Sequence, residues 1–179
     1  RSSPLALAVG RVAPERAIVH FDERGLAFAA IGFARATRTP AVLICTSGTA
    51  VANFLPAVVE ASLSAIPLIV LTADRPPELH DRGANQTIPQ RGIFGEFVRW
   101  QTVLEPPSSE LKSTTIIETI TTAIQHATGS PPGPVHINCP YREPLAPAAE
   151  KALLPYSSEE YTVSAADTPS FGSIDIGLD

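Results

Sequence analysis

Methionine is absent from the 179 residues, tryptophan occurs once and cysteine twice. Each shortage narrows the reading. Cys45 and Cys139 stand far apart without a CxxC pair, which argues against a disulfide-dense secreted scaffold and a cysteine zinc site and fits a reducing compartment. Apolar runs are short and interrupted, far from the roughly 18 residues that suggest a membrane span, so none is expected. Lys and Arg number 13 against 18 Asp and Glu, a formal charge of −5. That balance leaves no basic footprint, and neither nucleic acid nor an acidic membrane surface is an expected partner. With 44% hydrophobic and 17% charged residues, the chain is otherwise ordinary for one globular domain with a substantial core. The lack of methionine, with Arg1 opening straight into helix-like residues, predicts a piece of a longer chain. No signal or transit segment is visible, which says little about targeting in such a piece.

Strand-like and helix-like runs alternate. Residues 16–21, 40–47, 66–73, 99–106 and 133–140 are rich in Val and Ile and bounded by Pro, Gly or charged residues. Most lack strict alternation, the pattern of parallel strands covered on both faces. Between them, 26–37 and 49–65 read as helices apolar nearly all round. A second domain or subunit is expected to cover them. Pro56 should split or kink the second of these near Phe54. Residues 110–127 place Leu111, Ile116, Ile117, Ile120, Ile124 and Ala127 on one face of a surface helix. Residues 147–179 lose periodicity and turn to Pro, Ala, Ser and acidic residues, which reads as a linker. The alternation predicts a doubly wound, mainly parallel α/β domain over residues 1–146, with ligands bound outside the carboxyl ends of its strands.

Those strand ends carry the polar chemistry. Asp22 and Glu23 stand between the first strand candidate and an apolar helix. Asp22 reads as the cap and Glu23 as a dipole-stabilising first-turn residue, or else as a carboxyl lodged at an apolar interface to shuttle a proton. The turn Thr46, Ser47, Gly48, Thr49 gathers free N–H groups, yet has neither a P-loop lysine nor a dinucleotide fingerprint. Ser47 and Thr49 read most simply as caps of the next helix. Arg75 suits a bidentate contact to a carboxylate, as does Arg1, and Gln86 can donate to or accept from a ligand. The four histidines have no metal-ligand spacing, and no protein-bound metal is expected; structural roles suit His20 and His136.

Taken in order, "RSSPLALA", "HFDERGLAFAAIGFA", "TSGTAVANFLPAVVEA", "PLIVLTADRPPEL", "GANQTI" and "GPVHINCPYREPL" resemble the N-terminal, pyrimidine-binding domain of the 2-succinyl-5-enolpyruvyl-6-hydroxy-3-cyclohexene-1-carboxylate synthases. These are thiamine-diphosphate enzymes of menaquinone and phylloquinone synthesis. The resemblance covers about residues 1–146 and implies an N-terminally truncated domain lacking an initial strand and helix. It implies that Glu23 hydrogen-bonds N1′ of the cofactor's aminopyrimidine, that Thr46, Ser47, Gly48 and Thr49 line the pyrimidine pocket, and that Gln86 lies near the cofactor. Arg1 and Arg75 would approach substrate carboxylates. The implied reaction decarboxylates 2-oxoglutarate and adds the succinyl-semialdehyde carbanion to isochorismate. The implied enzyme is a homo-oligomer with its site between subunits, in bacterial cytoplasm or a plastid. Mg²⁺ and the diphosphate would be held by residues outside this chain, so the chain alone is expected to be inactive. Two other readings stand beside this one: a non-catalytic α/β assembly domain, and another thiamine-diphosphate decarboxylase or carboligase.

Overall fold

The computed structural model describes residues 1–146; the stretch read as a linker, 147–179, lies outside the described residues. Helices α1 (Ser3–Val12) and α2 (Glu23–Thr37) precede strand β1 (Ala41–Cys45). Helices α3 (Thr49–Asn53) and α4 (Leu55–Leu63) lead to β2 (Leu68–Asp74), and β3 (Trp100–Val103), α5 (Ser113–Thr128) and β4 (Pro134–Pro140) follow. The sheet runs β1-β2-β4-β3, with every ladder parallel. Parallel neighbours need crossovers, which α3 and α4 supply between β1 and β2. Strand β4 is buried along its whole length and β2 everywhere except Leu71, which is why both lack the alternation of a half-exposed strand.

Each face of the sheet packs its own cluster. On one side Ala27, Ile31 and Ala34 of α2, with Val51, Phe54, Ala57, Val58 and Ala61, cover Leu43, Leu68 and Val70. The many alanines let these helices lie close to the sheet. Ala123 and Ala127 of α5 meet Ile69, Val135 and Ile137 on the other side. Phe54 and Phe94 are fully buried, each contributing roughly 1.5–3 kcal/mol through the area removed from water. Pro56 does split its helix: α3 ends at Asn53, Phe54 is the junction, and the proline occupies the first turn of α4, where its missing N–H costs nothing.

Three local expectations need correction. Residues 16–21 form no strand. Ala17 is extended, at φ −94° and ψ 124°, but nothing among the described residues ladders with the segment. Ile18, Val19 and Phe21 stand 81%, 87% and 103% exposed. β-branched residues supply propensity, but a strand also needs a neighbour's hydrogen bonds. The helix expected from Leu26 begins three residues earlier, at Glu23, because Asp22 caps it. On α5 the buried stripe is narrower than expected. Ala123 and Ala127 are buried, Ile120 packs beside them, and Ile117 and Ile124 remain 40% and 41% exposed.

Candidate functional site

Asp22 holds an extended conformation, φ −118° and ψ 121°, and its Oδ1 accepts the Gly25 N–H at 2.6 Å. A Cβ on Gly25 would lie 3.0 Å from that oxygen, so a glycine leaves the cap undisturbed. The cap makes Glu23 the first helical residue, half-buried at the positive end of the α2 dipole. Cys45, the last residue of β1, is pushed up to about 12, first by burial and then by the negative charge of Glu23. Glu23 therefore stands near the carboxyl end of the sheet.

The turn after β1 occupies the same rim. Gly48 has φ +83° and ψ −143°, a conformation closed to side-chain-bearing residues in ordinary circumstances. Gly48, and neither Ser47 nor Thr49, holds the N-cap position of α3, and no side chain caps that helix. The expected capping roles are thus corrected: Ser47 is buried and turned away, accepting from Arg75 Nη1 at 3.0 Å. Thr46 Oγ1 lies 3.4 Å from the backbone nitrogen of Arg1, and Thr49 is exposed. Gln86, at φ +52°, lays its backbone over the turn; a Cβ on Gly48 would meet the Gln86 carbonyl oxygen at 3.3 Å.

Two guanidinium groups lie near enough here to repel each other. The Arg1 side chain is only 6% exposed, donates to the Tyr141 carbonyl at 3.0 Å and reaches Glu143 at 3.4 Å. Desolvation lowers its pKa, and repulsion from Arg75 lowers it further. Arg1 Nε is buried without a partner, and the Arg75 guanidinium has no carboxylate partner among the described residues. A desolvated cation with a second one nearby suits a carboxylate-bearing ligand. The structure thus brings Arg1, Thr46, Ser47, Gly48, Arg75 and Gln86 onto one rim, with Glu23 at the neighbouring helix start.

Beneath the rim lies a polar network of which sequence reasoning anticipated only the structural role of His136. The buried Asp74 carboxylate accepts from Arg75 N and from Asn138 Nδ2, each at 2.7 Å. Asn138 Oδ1 consequently faces inward and accepts from both Thr72 and Gln90 at 2.8 Å. Thr72 has spent its only proton, so its oxygen accepts from His136 Nε2 at 2.7 Å. The imidazole is neutral, its pKa pushed down to about 4 by burial, and carries its proton on Nε2. The available signal was Thr72, His136 and Asn138 interrupting apolar strands, since buried polar groups require partners.

Residues 2–93 match the family profile described as thiamine pyrophosphate enzyme, N-terminal TPP binding domain. The chain belongs to this family. Among curated relatives of this thiamine pyrophosphate enzyme domain, one from Chlorobium phaeobacteroides (strain BS1) is 56% identical over 147 residues, 82% of this chain and 25% of the relative. One from Salinibacter ruber (strain DSM 13855 / M31) is 52% identical over 152 residues, 85% of this chain and 26% of the relative. One from Chloroflexus aurantiacus (strain ATCC 29366 / DSM 635 / J-10-fl) is 56% identical over 147 residues, 82% and 25% respectively. All three are named 2-succinyl-5-enolpyruvyl-6-hydroxy-3-cyclohexene-1-carboxylate synthase. The chain spans about a quarter of the length of these relatives.

The domain's residues fit one end of the family's cofactor. A carboxylate beside the half-buried Leu26 and the buried Ala27 suits an aminopyrimidine, which offers a ring nitrogen and apolar faces. No cluster of three His, Cys, Asp or Glu side chains able to hold a metal occurs among the described residues. No helix among them is long and apolar enough to cross a membrane.

Proposed function

We propose that residues 1–146 are the pyrimidine-binding domain of a 2-succinyl-5-enolpyruvyl-6-hydroxy-3-cyclohexene-1-carboxylate synthase, and that 147–179 lead toward the rest of that enzyme. The observation that carries this reading is the half-buried Glu23 at the first turn of α2, beside a rim bearing Arg1 and Arg75. Identity above 50% to relatives bearing that name supports this enzyme over other members of the family. Thiamine diphosphate, when bound, supplies the electron sink for decarboxylating a 2-oxo acid. Glu23 would hold a proton against N1′ of its aminopyrimidine, in surroundings of low dielectric that strengthen the bond. Thr46, Ser47, Gly48 and Thr49 would line the pyrimidine pocket, with Gln86 above them. Arg1 and Arg75 would grip the carboxylates of 2-oxoglutarate and isochorismate.

The complete enzyme would release CO₂ from 2-oxoglutarate and join the remaining succinyl-semialdehyde unit to isochorismate, on the way to menaquinone or phylloquinone. We read it as a homo-oligomer with its site between subunits, and the bacterial relatives favour the cytoplasm. Mg²⁺ would be held by residues beyond this chain, and this chain alone would not turn over substrate. The test uses the complete enzyme with thiamine diphosphate, Mg²⁺, 2-oxoglutarate and isochorismate, following isochorismate consumption and product mass. The succinyl adduct is expected, and Glu23→Gln should lower turnover by about 10²–10⁴-fold. Unchanged turnover in that variant would sink the proton role. Preference for pyruvate would indicate another decarboxylase, and failure to bind the cofactor an assembly domain.

A further inference from the structure

We infer that Gln90 is a positioning residue of the proposed pyrimidine site, holding the Ser47–Gly48 turn against the carboxyl ends of β2 and β4. The inference rests on the functional reading above. Gln90 is 1% exposed, and its side-chain amide joins three separate segments. Its Oε1 accepts the Gly48 N–H at 2.9 Å, while its Nε2 donates to the Ala73 carbonyl at 3.1 Å and to Asn138 Oδ1 at 2.8 Å. Few side chains offer that set. The position needs one acceptor facing the turn and two donors facing two oxygens, which an amide supplies in full. Its orientation is dictated from below. Asp74 accepts an N–H from Asn138 Nδ2, Asn138 must then present Oδ1, and Gln90 must turn its nitrogen toward that oxygen and its own oxygen toward Gly48.

The bonds close into a ring. Asp74 also accepts the backbone N–H of Arg75, whose Nη1 donates to Ser47, the neighbour of Gly48. One buried carboxylate thereby orders both the turn proposed to line the pyrimidine pocket and the arginine proposed to meet substrate. Without Gln90 the buried Gly48 N–H loses its acceptor, in a turn already at a positive φ whose other side-chain tie is the Arg75 contact to Ser47.

The experiment compares wild type, Gln90→Met and Gln90→Glu in the complete enzyme, by thiamine diphosphate affinity in the presence of Mg²⁺ and by hydrogen exchange of residues 46–51 against α5. Gln90→Met should raise the cofactor Kd by about tenfold. It should also speed exchange of 46–51 while leaving α5 as slow as in wild type. Gln90→Glu keeps an oxygen for Gly48 and, with its buried carboxyl protonated, one donor; it should recover most of both effects. An unchanged Kd in Gln90→Met, parallel loosening of α5, or a Gln90→Glu no better than Gln90→Met would each overturn the positioning role. Should Gln90→Met fail to fold, Gln90→Glu is compared with wild type alone, and a tenfold weaker Kd or fast exchange at 46–51 overturns it. Failure of the wild type to bind thiamine diphosphate would instead overturn the functional reading on which the inference stands.

Discussion

His136 gives its Nε2 proton to Thr72 and meets the Phe94 ring edge-on at a centroid distance of 4.8 Å. Burial lowers its pKa from 6.5 to about 4, so the folded chain keeps it neutral while the unfolded chain takes up a proton below about pH 6.5. Stability linked to this group is therefore full above pH 6.5 and is lost as the pH falls toward 4, by up to about 3 kcal/mol. Urea unfolding at pH 7 and pH 4.5 checks this, with His136→Gln expected to lose less stability on acidification than wild type. Equal losses in the two proteins would refute it. Individual residues were unevenly legible. The capping role of Asp22 could be read because its partner, Gly25, is three positions away. The role of Asp74 could not, because its partner Asn138 lies 64 positions along the chain.

Strand β1 passes into α3 through a turn that depends on Gly48. A Cβ there would be forced into φ +83° and a 3.3 Å approach to the Gln86 carbonyl. Gly48→Ala is expected to destabilise the domain by about 1–3 kcal/mol. Gly32→Ala provides the contrast, since nothing lies within 4 Å of its position inside α2. That change should stabilise by up to about 1 kcal/mol. Thermal unfolding of both variants checks the pair, and a Gly48→Ala protein as stable as wild type would contradict the strain argument. Elements governed by local chemistry were legible: the proline-split α3–α4 and the doubly buried β2 and β4. The missing strand at 16–21 and the absent Ser47 and Thr49 caps were not, because a ladder partner or the pull of Arg75 on Ser47 decides them.

At the scale of the molecule, and among the described residues, the most exposed apolar side chains gather ahead of and along α2. Phe21 is fully exposed, Ile18 and Val19 nearly so, and Phe28 and Phe33 of α2 are 45% and 52% exposed. Val42, on the edge strand β1, adds a further 54% exposed side chain. Patches of this kind favour association, as does an unpaired strand edge. The 179-residue chain is expected to show a light-scattering mass that rises with concentration, and Phe21→Ser with Phe28→Ser should suppress the rise. A wild-type mass independent of concentration would defeat this expectation. The sequence by itself determined the parallel layered architecture, the capped start of α2 that sets Glu23 at its first turn, and the resemblance to its enzyme family. Those features are written in apolar runs, caps and contiguous motifs. Only the tertiary structure decided the β1-β2-β4-β3 order, the nearness of Arg1 to Arg75, and the ring through Asp74, Asn138, Gln90, Gly48, Ser47 and Arg75. The ring is closed by hydrogen bonds between residues up to 64 positions apart, and no local pattern encodes which distant donor a buried acceptor will find.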